Sequence, residues 1–202
     1  MDALELPLFP LRTVLFPGAV LGLKIFEARY LDLMTTCLRE RSRVGVVCLR
    51  RGGEVVQADR AVDFESIGVE AELIDVDSAQ AGILMIRCRG VERFEVKTPR
   101  QQADGLWLAS VEPLPADEAV APAPQFEPCV RALASAMRSI EQDATAPFLE
   151  PYRFDDAGWV ANRWCEILPI SVAAKHKLMA LPDGQLRLEL VDEYLRSHQL
   201  VK

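Results

Sequence analysis

A chain of 202 residues, half of them hydrophobic and 26% charged, can bury a core of its own and has the mix of an ordinary globular protein, not of a disordered or collagen-like one. Its formal net charge of −7 argues against sequence-independent attachment to a phosphate backbone and leaves only a local basic patch as a route to nucleic acid. No apolar run approaches the roughly 20 residues of a membrane span, and the N-terminus, with Asp2 and Glu5, lacks the basic and then apolar build of a secretory leader, so a cytoplasmic protein is expected.

The first thirty residues are dense in large apolar side chains but broken by Pro7, Pro10 and Pro17. Proline is confined in sheets to edges, strand starts and bulges, and it breaks helices. The pattern predicts extended pieces over 4–9, 13–16 and 20–25, with Pro17-Gly18 as a turn in which glycine supplies a positive φ. From Phe26 the period changes. Phe26, Tyr30, Leu33, Met34, Cys37 and Leu38 recur at helical spacing, which predicts a helix over 26–41. Glu27 in its first turn and Arg39 and Arg41 in its last complement the helix dipole.

Val44 to Leu49 is β-branched and apolar and reads as a buried strand. A turn follows at Arg50-Arg51-Gly52-Gly53, with a return strand over 54–56. A strand is expected over 67–74 and a polar loop over 75–82. Two strands, 83–89 and 91–96, flank Gly90; the second has no cleanly apolar face and is expected at the periphery or bent at the glycine. The last strand covers 106–111. Residues 113–125 hold four prolines and four alanines, the mark of an extended, poorly packed connector. Beyond it the periodicity is helical: 126–142, 157–168 capped by Asp156 and ended by Pro169, 172–181 capped by Ser171 and stapled by Ile170, and a last helix to 197 after a cap at Asp183. The chain thus divides into a β-rich part, 1–112, a connector, 113–125, and a helical part, 126–202.

Catalytic sets are sparse. The two histidines, His176 and His198, are too far apart for H-E-x-x-H, and both read as solvated surface. There is no G-x-S-x-G and no G-x-G-x-x-G; the nearest approach to a phosphate-cradling loop, Gly18 to Lys24, has the wrong spacing and an apolar context. Cys37, Cys48, Cys88, Cys129 and Cys165 are odd in number, form no C-x-x-C pair and read as reduced, buried thiols. No cofactor, metal or catalytic residue is expected. A Ser-Lys dyad is left open, because its members need not be close in sequence. Arg39, Arg41, Arg43, Arg50 and Arg51 form the one basic stretch, with no aromatic interleaved to stack bases.

Three sets of residues together carry a family resemblance. They are Leu6-Pro7-Leu8-Phe9-Pro10-Leu11, Val14-Leu15-Phe16-Pro17-Gly18 and Ile25-Phe26-Glu27-x-Arg29-Tyr30. Gly45-Val46-Val47, Ile67-Gly68-Val69, a G-x-x-R-F signature at Gly90 to Phe94, and Leu168-Pro169-Ile170-Ser171 with Lys175 to Leu178 extend it over nearly the whole chain. The sequence resembles the N-terminal, substrate-binding domain of ATP-dependent Lon proteases, above all the small stand-alone proteins made of that domain. The resemblance implies an α+β fold: a PUA-like, partly closed antiparallel β-sheet or pseudo-barrel holding one helix, then a helical bundle. In Lon proteases this domain helps capture unfolded or tagged polypeptides and aids hexamer assembly, which implies here a non-catalytic polypeptide-binding module that selects proteins for degradation or acts as an adaptor, with unfolded or tagged polypeptides and a protease or chaperone as partners. Because the chain ends at Lys202, the ATPase and Ser-Lys protease domains are expected to be absent, and their activities do not transfer. PUA-like folds include RNA binders, so an RNA-related module is the alternative. Phe9, Phe16, Phe26 and Tyr30 read first as core; the functional alternative is that one or two of them line an apolar groove rimmed by Arg12 and Arg29, which makes Phe9, Arg12, Phe16 and Arg29 the candidates for contact with a bound chain. An exposed sheet edge could add backbone hydrogen bonds.

Overall fold

The computed structural model describes residues 4–51, 62–140 and 148–201. It divides into two compact units, Met1–Leu114 and Pro115–Lys202.

The first unit is a sheet with one helix. Its strands are β1 (Leu4–Leu11), β2 (Val20–Ile25), β3 (Val44–Arg51), β4 (Asp63–Gln80), β5 (Ile83–Gln101) and β6 (Trp107–Pro113), with α1 (Ala28–Glu40) between β2 and β3. The order across the sheet is β2-β5-β4-β3-β1-β6, and β6 also pairs with β5, so the wall closes in part without becoming a regular barrel. Every neighbouring pair is antiparallel except β1 with β3, which run parallel from Leu8↔Gly45 to Leu11↔Cys48. The sheet is therefore mostly antiparallel and partly closed, in line with expectation, with one parallel pair that makes it mixed. The helix between β2 and β3, rather than a hairpin, carries the chain back for a parallel return.

The 13–16 segment is not a strand. It leads into a turn at Pro17-Gly18, where Gly18 has φ 78°. That turn lies on Gly90: the Gly18 N–H donates to the Gly90 carbonyl at 2.8 Å and the Gly90 N–H to the Ala19 carbonyl at 2.9 Å. A Cβ at Gly90 would sit 2.2 Å from the Phe16 carbonyl oxygen. Two of the motifs that carry the family resemblance thus meet here, and the glycine is required by close approach of backbone.

β5 runs unbroken through Gly90 and is central, pairing with β2, β4 and β6 in turn. It is not peripheral, and Arg93 and Phe94, which alternate to opposite faces, are both buried. Phe94 belongs to the core cluster with Leu6, Leu8, Val47, Ala109 and Val111. Its ring occupies the space over Gly45 and Gly68, where a Cβ would come within 2.6 and 2.5 Å of it. Burying such a ring contributes about 1.5–3 kcal/mol, which the two glycines make room for.

The polar stretch 75–80 continues β4, and a two-residue link joins Gln80 to Ile83. Asp75, Asp77, Ser78 and Gln80 lie exposed there, and their polarity removed the apolar signal of a strand. The expected 54–56 strand lies outside the described residues.

The second unit is helical: α2 (Glu127–Ile140), preceded by a single 3-10 turn, α3 (Ala157–Ile167), α4 (Val172–Ala180) and α5 (Gly184–Ser197). The predicted caps form, with Asp156 accepting from the Trp159 N–H, Ser171 from Ala174, and Asp183 from Gln185 and Leu186. The 113–125 segment is shared out. β6 extends to Pro113, while Asp117 accepts from Arg187 at 2.6 Å and the Val120 carbonyl from the Ala157 N–H at 2.8 Å. Prolines and alanines gave no apolar period, so these polar ties were invisible in the sequence. Among the described residues no helix is long and apolar enough to cross a membrane.

Candidate functional site

A cleft of about 280 Å³ opens in the first unit between the end of β1, the second half of β2 and the entry to α1. Phe9 and Tyr30 meet edge to face, 4.1 Å between centroids, and both are buried. Leu23 is half-buried and Ile25 buried on the same side, while Gly22 and Lys24 are exposed. Phe26 stands at the lip with 55% of its surface exposed. It belongs to the predicted helical stripe, but α1 begins only at Ala28, so Phe26 precedes the cap and falls out of phase with the buried face. The volume lies just under the about 300–1,000 Å³ of small-molecule sites, so the cleft suits one or two side chains of a larger partner.

The cleft is walled by strands that are paired on one edge only. β6 leaves β1 after Leu8↔Trp107, so residues 9–11 keep β3 alone, and β2 keeps β5 alone among the described residues. Glu27 is the N-cap of α1, in an extended conformation, so the rule that helix residues two apart face away from each other does not apply to it. It accepts from Arg29 Nη2 at 2.9 Å. Arg29 Nη1 donates to the Gly105 carbonyl at 2.6 Å, and the guanidinium lies 4.6 Å from the Tyr30 ring centre. The Glu27 charge is thereby matched. Lys24 is left as an exposed cation without an ion pair among the described residues.

Of the four sequence candidates, Phe9 lines the cleft and Arg12 is exposed just beyond β1. Phe16 and Arg29 are taken up by the fold: Phe16 is fully buried beneath the turn on Gly90, and Arg29 is buried and fastens α1 to the 102–106 turn. Sequence reasoning missed Leu23 and the half-paired edge of β2. The alternation of Leu21, Leu23 and Ile25 with Gly22 and Lys24 was the signal available.

Other features are spoken for. In the basic stretch, Arg39 pairs with Glu40, Arg43 with Glu70 and Arg50 with Glu65, at 2.9, 2.8 and 3.1 Å, which removes most of the charge a phosphate would need. His176 is buried, not solvated, because α4 turns it inward; His198 stacks on Tyr194 with centroids 4.0 Å apart. All five thiols are free and buried, and burial pushes Cys88, Cys129 and Cys165 up to about 12, so none is poised as a nucleophile. No group of three or more metal-ligating side chains occurs among the described residues. A second apolar groove, about 300 Å³, lies in the helical unit between Ile170, Leu178, Leu190 and Tyr194. Helices satisfy their own backbone there, so it offers a partner apolar contact but no ladder.

The model of the ATP-dependent protease La (LON) substrate-binding domain matches residues 5–197 of the chain. A Lon protease of Parabacteroides distasonis is 26% identical over 212 residues, covering 98% of this chain and 24% of that protein, so the chain spans about a quarter of that curated relative. The crystal structure of a Lon N-terminal domain protein from Xanthomonas campestris superposes with a TM-score of 0.71 at 31% identity, covering 95% of this chain and 98% of that one. The N-terminal domain of a Mycobacterium avium complex Lon protease shares the fold, with a TM-score of 0.62 at 14% identity, over 96% of this chain and 99% of that one.

Proposed function

The chain belongs to the family of Lon substrate-binding domains, and from that membership we propose that it binds unfolded polypeptide in the cleft between β1, β2 and α1. The family is one of substrate-binding domains, not catalytic ones, and the reading is of a non-enzymatic cytoplasmic adaptor that presents chains to a protease or chaperone. Phe26 carries it: a large aromatic held mostly in solvent, at the lip of an apolar cleft, on a surface where burial was available to its neighbours. Phe26 shares the lining of the cleft with Phe9, Leu23 and Ile25, and concave, largely apolar surfaces of this kind are where ligands are held. Apolar contact is tolerant of sequence, as recognition of unfolded chains requires.

The test is titration of the protein into a fluorescently labelled, permanently unfolded polypeptide, followed by anisotropy. Saturable binding is expected with a Kd on the order of tens of micromolar. No binding in that range would end the reading.

A further inference from the structure

We propose that the bound chain is held as an added strand along the free edge of β2, and that the segment preferred there has an apolar–acidic–apolar sequence. This rests on the polypeptide-binding reading above and names the mode and the ligand class of that same cleft.

β2 pairs with β5 in antiparallel register from Val20↔Arg89 to Ile25↔Leu84 and has no strand on its other side among the described residues. In such a ladder alternate residues turn their N–H and C=O toward one neighbour, so half of the backbone groups of β2 face away from β5. An extended segment laid along that edge pairs with them, giving affinity that does not depend on side chains. The six residues of β2 set the length of the ladder.

Side chains then decide which segment fits. Residues opposite one another on neighbouring strands share a face. Leu23 and Ile25 turn to the buried side with Phe9 and Tyr30, so the residues set against them enter apolar surroundings. Lys24 turns to the solvent face, and the residue set against it meets an exposed ammonium with no ion pair among the described residues. At Gly22 a Cβ would meet nothing within 4 Å, so no side chain of β2 crowds that end of the edge. A carboxylate flanked by two apolar residues complements this arrangement. The local sign is the opposite of the chain's net charge of −7.

Short acetylated, amidated peptides centred on Leu-Glu-Leu test this with the full chain, read by anisotropy and by hydrogen exchange of the β2 amides. Binding is expected to slow exchange at alternate β2 amides. N-methylation of the peptide at two alternate positions is expected to weaken binding about tenfold or more, and at the intervening positions far less. Changing the central Glu to Lys is expected to cost about three- to tenfold at low salt, with the preference reversed in Lys24→Glu. Unchanged β2 exchange and indifference to N-methylation, while unfolded polypeptide still binds, would overturn the added strand and leave the binding reading standing. Equal binding of the Glu and Lys peptides to both proteins would overturn the acidic preference. Failure of every peptide and of the unfolded polypeptide would remove both readings.

Discussion

Gly90 shows how much a single position can be asked to do. The Phe16 carbonyl occupies the place of its Cβ, and two backbone hydrogen bonds lock the turn at Pro17-Gly18 onto it. Gly90→Ala must move backbone, so a loss of about 1–3 kcal/mol is expected in urea unfolding. An unchanged midpoint would mean that the turn is not seated as described. The glycine was conspicuous in the sequence, but its partners were more than seventy residues away, and nothing local indicates which backbone will approach. Glu166 offers a second test at this scale. Burial pushes its carboxyl up to about 7, against the pull of Arg163 and Lys175. A folded-state value above the unfolded one means that the native chain holds this proton more tightly. Stability from this group is then full below about pH 4.5 and declines as pH rises to about 7, by about 1–3 kcal/mol. Glu166→Gln is expected to flatten unfolding stability across that window; an unaltered slope would contradict the assignment.

Elements differ in how plainly the sequence announces them. Asp156, Ser171 and Asp183 were legible as caps because a cap acts on amides two or three residues away. The tail of β4 was not, since residues 75–80 are mostly polar and only their register with β5 makes them strand. β5 was read as two pieces because its pairing partner changes along its length, which leaves no single apolar face. In the helical unit the binding element is Arg187, 1% exposed on α5. It donates to Asp117, to Asn162 on α3, and to the Leu178 and Leu181 carbonyls at the end of α4. Arg187→Ala leaves the Asp117 carboxylate and two carbonyls without that donor, for an expected loss of about 3–5 kcal/mol. Emission from Trp159 and Trp164, both in α3, reports it. A loss below about 1 kcal/mol would show that the network is not holding these elements together.

At the scale of the molecule, one unit offers strand edges beside an apolar cleft, and the other a groove between helices. The family was legible because its motifs concentrate where backbones touch: the opening turn on Gly90, and Phe94 over Gly45 and Gly68. The site was less legible, because aromatic residues that fill a core and those that face a ligand share one composition. Phe16 and Phe26 differ only in where the fold puts them, 0% against 55% exposed. That contrast also sets the most direct test. Phe26→Ser and Leu190→Ser each remove one exposed apolar side chain, the first from the cleft and the second from the helical groove, and neither is expected to alter folding. Titration of both against the same unfolded polypeptide is expected to show about tenfold weaker binding for Phe26→Ser and wild-type binding for Leu190→Ser. Unimpaired binding by a folded Phe26→Ser, or a loss confined to Leu190→Ser, would contradict the account.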